Sequence, residues 1–175
     1  MIAAVSVVGC LCLVDLLLTF GVIRRLREHT TMLTAQERLA EPPLGVSAGE
    51  LPAGFSAVTT DGEPVSGPAG LRMVAFLASW CSICPERVPS LVEYLGSHRV
   101  ARDGVLAVVV DGDSEAPPYL AQLADVARVC VEPSDGEVGK AFKVAGFPAF
   151  FLLDADGAVM ASGYDPAGLP VPASA

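Results

Sequence analysis

Positive charge is scarce in this chain. It has 11 lysines and arginines against 20 aspartates and glutamates, a net charge of −9, and Lys140 and Lys143 are its only lysines. Proteins that bind nucleic acid neutralise phosphates with clustered lysine and arginine. The acidic balance therefore predicts that nucleic acid is not a partner, and it disfavours a globular part that lies on anionic lipid.

Cysteine and histidine are few as well. Five cysteines at irregular spacing do not suit a small secreted fold held together by disulfides. A structural zinc site needs four ligands, and beyond a cysteine pair the chain offers only His29 and His98, which are more simply solvent-exposed. The sequence predicts no metal site and no cofactor.

Long apolar runs are not lacking. Hydrophobic residues make up 52% of the chain, and between residues 2 and 23 only Ser6, Asp15 and Thr19 are polar. About 22 residues at a helical rise of 1.5 Å span a hydrocarbon core. One aspartate costs about 2.5–3.5 kcal/mol on insertion, which the many Leu, Val and Ile residues offset. We predict a single transmembrane anchor over residues 1–23 and localisation in the cell membrane.

The side of the membrane is left open. Arg24, Arg25 and Arg27 follow the apolar run and no basic residue precedes it, so the positive-inside rule places the following domain in the cytoplasm. The family resemblance given below favours the opposite side. Residues 24–50 are predicted to form a juxtamembrane stalk and linker, in which Pro42 and Pro43 end a helix-forming stretch.

Strand and helix patterns alternate after Leu51. Asp61-Gly62 predicts a hairpin turn. The apolar runs at 71–77, interrupted only by Arg72, and at 105–110 predict strands covered on both faces. Helical patterns occupy 84–96, 119–127 and 137–142, and a second hairpin turns at 154–157. The sequence predicts an α/β sandwich with a mixed central sheet over 51–164 and a disordered tail over 165–175.

A Cys-x-x-Cys pair lies where the first apolar strand gives way to a helix. The run Phe76-Leu-Ala-Ser-Trp-Cys-Ser-Ile-Cys84 places Cys81 at the rim of the fold, where helix-terminal N–H groups stabilise a thiolate. Cys84 follows one helical turn later and can close a disulfide with it. Cys10, Cys12 and Cys130 are interpreted as small buried hydrophobic residues.

Together these motifs resemble the thioredoxin-like superfamily, and in particular the membrane-tethered bacterial redoxins of the TlpA and ResA type. The resemblance covers about residues 51–163. It depends on the hairpin at 55–65, the cysteine motif at 76–84 followed by Pro89, the strand at 108–111, and Gly146-Phe-Pro-Ala-Phe-Phe-Leu-Leu-Asp154. Residues 20–29 show a shorter resemblance to MauD-type proteins.

The resemblance implies a thioredoxin-like three-layer sandwich and a membrane-tethered thiol–disulfide oxidoreductase. It implies that Cys81 is the nucleophile, that Cys84 is the resolving thiol, and that the two form a redox disulfide. It also implies that Pro148 is a cis-proline, that Phe147 offers backbone groups to a bound peptide, and that Trp80 shapes the docking surface. The implied partners are protein thiols and disulfides, and a membrane or soluble thiol donor that resets the pair.

The chain departs from that family at two places. Ile83 replaces the proline usual before the second cysteine, and Pro85 follows it, so the redox potential cannot be carried over. Ala75 stands where thioredoxin has a buried aspartate that helps to move the resolving thiol's proton. Glu86, Asp111 or a water molecule are the candidates for that task.

Two other functions fit the same motif less well. A peroxiredoxin-like peroxidase needs a proline and a threonine or serine at fixed spacing before its reactive cysteine. Leu77 and Cys81 occupy these positions before Cys84, and Val74 and Ala78 occupy them before Cys81, so neither cysteine fits the pattern. A copper-binding or copper-delivery role suits a soft cysteine pair, but further ligands are lacking.

Overall fold

The structure is a computed structural model that describes residues 44–111 and 117–172. Its strands are β1 (Phe55–Val58), β2 (Pro64–Gly67), β3 (Met73–Ala78), β4 (Val105–Val110), β5 (Arg128–Glu132), β6 (Ala149–Leu153) and β7 (Val159–Gly163). Its helices are α1 (Cys84–Ser97), α2 (Leu120–Val126) and α3 (Glu137–Phe142), with short 3₁₀ turns at Arg102–Gly104 and Pro166–Gly168. Within those residues no helix is long and apolar enough to cross a bilayer, and the predicted anchor at 1–23 lies outside them.

Five strands form a mixed sheet in the order β5-β4-β3-β6-β7. Strands β3, β4 and β5 are parallel to one another, whereas β6 is antiparallel to both β3 and β7. The apolar runs predicted as doubly covered strands are β3 and β4, in which every residue is buried. A separate antiparallel hairpin, β1-β2, turns at the predicted Asp61-Gly62.

Side chains alternate between the two faces of the sheet, as the two-residue period of a strand requires. On β3, Val74 and Phe76 point to a core that includes Phe142 of α3 and Phe55 of the hairpin. Met73, Ala75 and Leu77 point to the opposite core, which α1 and α2 cover. The molecule is thus an α/β sandwich of three layers, which confirms the predicted mixed sheet.

Residues 44–50 pack against this sandwich, although the sequence predicts them to be linker. Leu44 and Val46 are buried, and the Val46 N–H donates to the Phe142 carbonyl at 2.9 Å. Gly45 lies so close to that carbonyl that a Cβ would be 2.3 Å from its oxygen. The packed domain therefore extends to Leu44 rather than beginning at Leu51, because two apolar side chains in this short segment reach the core.

The end of the chain also differs from the predicted disordered tail. The Asp165 carboxylate accepts the Ala167 N–H at 3.1 Å and pairs with Arg87 of α1 at 3.0 Å. Leu169 packs against the core under α1. Residues 165–172 therefore lie along α1, held by a capped turn and one apolar side chain. The prediction of disorder is wrong for this segment because composition does not reveal these contacts. Residues 173–175 lie outside the described part of the chain.

Candidate active site

The predicted cysteine pair is bonded. Cys81 and Cys84 form a disulfide with Cα atoms 5.4 Å apart. Cys84 is the first residue of α1 and is fully buried, whereas Cys81 lies in the preceding turn and is half-buried. A reagent in solvent can therefore reach Cys81 and not Cys84, which is the asymmetry that distinguishes an attacking thiol from a resolving one.

The turn between β3 and α1 is built from backbone hydrogen bonds. The Cys81 N–H donates to the Ala78 carbonyl at 3.1 Å, and the Ser79 N–H donates to the Val110 carbonyl at 3.0 Å. Ser79 is thereby joined to the end of β4. The turn is consequently attached to the two central strands of the sheet, which gives the sulfur of Cys81 a fixed position.

The start of α1 places one backbone donor, the Cys84 N–H, against that sulfur. The residue before the helix, Ile83, provides no side-chain cap, so the first N–H groups have no side chain to satisfy them. The Cys84 N–H lies 3.2 Å from the Cys81 sulfur. A donor of this kind, together with the positive end of the helix dipole, stabilises a thiolate on Cys81 when the disulfide is reduced.

Tyr119 is a site residue that the sequence analysis missed. Its buried hydroxyl donates to the Ala78 carbonyl at 3.1 Å, the same acceptor that the Cys81 N–H uses. Burial, and secondarily the charge of Asp111, raises the pKa of Tyr119, so the hydroxyl keeps its proton and remains a donor. No sequence pattern connects Tyr119 with the motif, because the contact depends on how α2 packs on the sheet.

Trp80, Phe147 and Pro148 are the residues to which the resemblance assigns the docking surface. The Phe147–Pro148 peptide is cis, as the resemblance implies. The ring of Trp80 is 53% exposed and meets the Phe147 ring edge-on, with centroids 6.0 Å apart. Phe147 and Cys81 pack against the same buried core. The structure thus places the Phe147 ring against Trp80, the residue before Cys81, and Pro148 follows Phe147 in the chain.

No carboxylate occupies the position of thioredoxin's buried aspartate. Ala75 is fully buried at the centre of the sheet, between Ala107 and Phe150. Of the two candidate substitutes, Glu86 is exposed in the first turn of α1, whereas Asp111 follows β4 and is half-buried. Asp111 acts electrostatically on Tyr119, and so lies nearer the base of the turn.

Cys130 is buried and free, as the sequence predicts for it. It lies in β5 with 2% of its surface exposed. Burial, and then the neighbouring charge of Glu132, raises the pKa of its thiol to about 12. Cys10 and Cys12 lie outside the described part of the chain. Across residues 44–111 and 117–172, no three His, Cys, Asp or Glu side chains converge on a point that could hold a metal ion.

No protein-family model matches the sequence, and no curated protein sequence matches it. Solved structures do match. A solution structure of a candidate protein disulfide isomerase from Bacteroides thetaiotaomicron is 26% identical, with a TM-score of 0.52, over 69% of this chain and 82% of its own. A crystal structure of a candidate thiol:disulfide interchange protein DsbE from Chlorobium tepidum is 25% identical, with a TM-score of 0.51. The match covers 70% of this chain and 89% of the DsbE chain.

The thioredoxin domain of a thiol-disulfide oxidoreductase from Bacteroides vulgatus has a TM-score of 0.53 over 67% of this chain and 88% of its own. At 19% identity that similarity concerns the fold alone. The three proteins share one architecture with the sandwich described above.

Proposed function

We propose that this thioredoxin-fold oxidoreductase exchanges electrons with the thiols and disulfides of other proteins through Cys81 and Cys84. The observation that carries the proposal is the asymmetry of the pair. A half-buried sulfur receives a backbone N–H at the start of α1, and a fully buried sulfur is bonded to it. Thiol–disulfide exchange begins with attack of an accessible thiolate on a disulfide sulfur, and a second thiol beside it can resolve the mixed disulfide that forms.

In the reducing direction, the Cys81 thiolate attacks one sulfur of a partner's disulfide. A Cys81–partner bond forms, the partner's sulfur–sulfur bond breaks, and the departing sulfur leaves as a thiolate that takes a proton. Cys84 loses its proton and attacks Cys81, which forms the internal disulfide and releases the partner as a dithiol. Two electrons pass to the partner, and the reverse sequence oxidises a dithiol.

A second thiol compound must reset the pair, because each turnover converts the cysteines to the opposite state. A membrane or soluble thiol donor serves this purpose in the proposal. The edge-on pair of Trp80 and Phe147 presents an apolar surface next to Cys81 in the chain. We place a partner polypeptide along the backbone at Phe147-Pro148, the bend that leads into β6.

The proposal is tested by trapping the mixed disulfide. In a Cys84→Ser variant, Cys81 still attacks but nothing resolves the product, so a disulfide-containing peptide should remain attached until a reductant is added. Intact mass measurement under non-reducing conditions would detect it. Cys81→Ser is the matched control, since it keeps only the buried thiol of the pair. Equal trapping by both variants, or by neither, would contradict the assigned roles.

We also propose that residues 1–23 tether the domain to the cell membrane and that 24–43 act as a stalk. The support is the apolar run of about 22 residues and the three arginines that follow it. A tether would confine the exchange reaction to partners at the membrane surface.

A further inference from the structure

A cavity with a cationic wall lies beside the cysteine motif. It has a volume of about 390 Å³. Its lining residues are Val110, Glu132, Ser134, Gly139, Lys140, Lys143, Val144 and Phe147. The two lysines are the only lysines of a chain with a net charge of −9. Their convergence on one cavity is therefore a local exception to the charge of the molecule.

The cavity opens at the edge of the sheet that carries the active site. Val110 and Glu132 are the last residues of the parallel strands β4 and β5, and ligands of open α/β sheets bind at the carboxyl ends of such strands. The Val110 carbonyl accepts the N–H of Ser79, and the Phe147 ring contacts Trp80. Two lining residues of the cavity therefore contact Ser79 and Trp80, which directly precede Cys81 in the chain.

The two lysines differ in how strongly they are already paired. Lys140 is 65% exposed and lies 3.4 Å from the exposed carboxylate of Asp135. The Lys143 side chain makes no hydrogen bond or ion pair with another described residue. Its backbone is left-handed, with a φ of 53°, and its N–H caps α3 by donating to the Lys140 carbonyl. The backbone of Lys143 is therefore fixed at the wall of the cavity, and its ammonium group is not engaged by another described side chain.

The acidic residue of the wall, Glu132, has both carboxylate oxygens in hydrogen bonds to the backbone. The Glu132 carboxylate accepts the N–H groups of Val138 at 3.1 Å and Gly139 at 2.8 Å. These bonds commit it to the start of α3. The floor formed by Val110, Val144 and Phe147 is apolar, so an entering group needs an aliphatic stem and an anionic end.

We propose that this cavity binds an aspartate or glutamate side chain of the partner polypeptide, so that the protein prefers partners with a carboxylate near the cysteine to be exchanged. The inference depends on the proposed function, because it assigns a substrate class to the same site. Lys143 supplies the charge contact, Lys140 assists it, and Phe147 connects the cavity to the docking surface.

The test uses the full chain and a series of peptides, each carrying one cysteine in a mixed disulfide with a chromophoric thiol. The peptides differ only in having Glu, Gln or Lys at one position within three residues of the cysteine. We expect kcat/KM for the best Glu peptide to exceed that for its Gln counterpart about tenfold at low salt, mainly through KM. Because Lys143 is exposed, the preference should decrease as salt screens it.

Lys143→Gln should remove most of this preference and leave the rate with the Gln peptide unchanged, and Lys143→Glu should favour the Lys peptide instead. Arg99→Gln is the matched control, since Arg99 is an exposed cation at the far end of α1 with a similar left-handed backbone. Reversal by Lys143→Glu separates a charge contact from damage to the fold, because a damaged fold would slow all peptides alike.

The outcomes distinguish the two proposals. Equal exchange with all three peptides, unaffected by Lys143→Gln, would overturn the carboxylate site and leave the oxidoreductase function intact. Absence of exchange with every peptide would overturn the proposed function itself. A Lys143 effect on oxidised glutathione but not on the peptides would show that the cavity takes a low-mass carboxylate and not a polypeptide.

Discussion

At the scale of single residues, three cysteines of one domain differ only in their surroundings. Cys81 is half-buried beside a helix-terminal N–H, Cys84 is buried but bonded to Cys81, and Cys130 is buried inside a strand. Since the thiolate is the reacting species, the environment decides which sulfur takes part in exchange. Cys130 carries the same thiol group as Cys81, but its burial makes that thiol unreactive.

Cys130 should resist alkylation in the folded protein. With a pKa raised to about 12, only about one thiol in ten thousand is ionised at pH 8. Iodoacetamide at that pH should label Cys130 only after the chain is unfolded, whereas Cys81 should be labelled in the folded protein once it is reduced. Peptide mapping by mass spectrometry measures both. Rapid labelling of Cys130 in the native state would mean that β5 is more open than the structure indicates.

At the scale of elements, the short helix α3 depends on a carboxylate from the strand before it. Glu132 ends β5 and bonds the N–H groups of Val138 and Gly139. A helix of this length has little stability of its own, and its N-terminal N–H groups need acceptors. The glutamate therefore joins β5 to α3 and fixes the loop between them, which includes Gly136, where a Cβ would meet the Glu132 side chain.

The stability that Glu132 contributes should depend on pH. Burial raises the pKa of Glu132 above its ordinary value of 4.5, although its two backbone hydrogen bonds act in the opposite direction. The folded chain therefore holds this proton more tightly than the unfolded chain does. Stability from this source is fully present below pH 4.5 and decreases as the pH rises through the folded-state pKa.

A Glu132→Gln variant should lack this dependence. It should lose about 1 kcal/mol because one of the two N–H groups loses its acceptor, and its deficit relative to the natural chain should shrink as the pH rises from 4 to 7. Urea unfolding across that range measures the difference. Glu63→Gln, at an exposed position in the hairpin turn, reports the generic effect of removing one carboxylate. A deficit that grows with pH would mean that the carboxylate is favoured in the folded state.

At the scale of the whole molecule, the remaining question is the compartment in which the disulfide works. The arginines after the apolar run favour a cytoplasmic domain, whereas the resemblance to tethered redoxins favours the outer side. The two arrangements give the enzyme different partners, because glutathione and thioredoxin systems keep cytosolic thiols reduced.

A membrane-impermeant thiol reagent applied to intact cells, after mild reduction with a permeant reductant, would decide between them. We expect the full chain to sediment with the membrane fraction, and labelling of Cys81 would place the domain outside. Lysed cells provide the control, since Cys81 should be labelled there in either case. Recovery of the chain in the soluble fraction would contradict the tether.

The helices, the strands and the reacting cysteine pair can be recognised from the amino-acid sequence. Strands are indicated by apolar residues that alternate with polar ones or follow one another without interruption. The Cys-x-x-Cys motif follows one such run, at the point where β3 ends and α1 begins. Both are short-range relations, so they can be read from neighbouring residues. The bounds of β4 and α3 agree with the residues predicted for them.

The surroundings of the cysteine pair, in contrast, depend on contacts between distant parts of the chain. The hydroxyl of Tyr119 on the Ala78 carbonyl, the lysine cavity beside Phe147, and the packing of Leu44 and Leu169 join residues far apart in the chain. Such contacts depend on the order in which strands align and on which helix face covers which part of the sheet. The alignment of strands and the packing of helices depend on the free energy of the whole core. That free energy is a sum over many segments and cannot be inferred from any one of them.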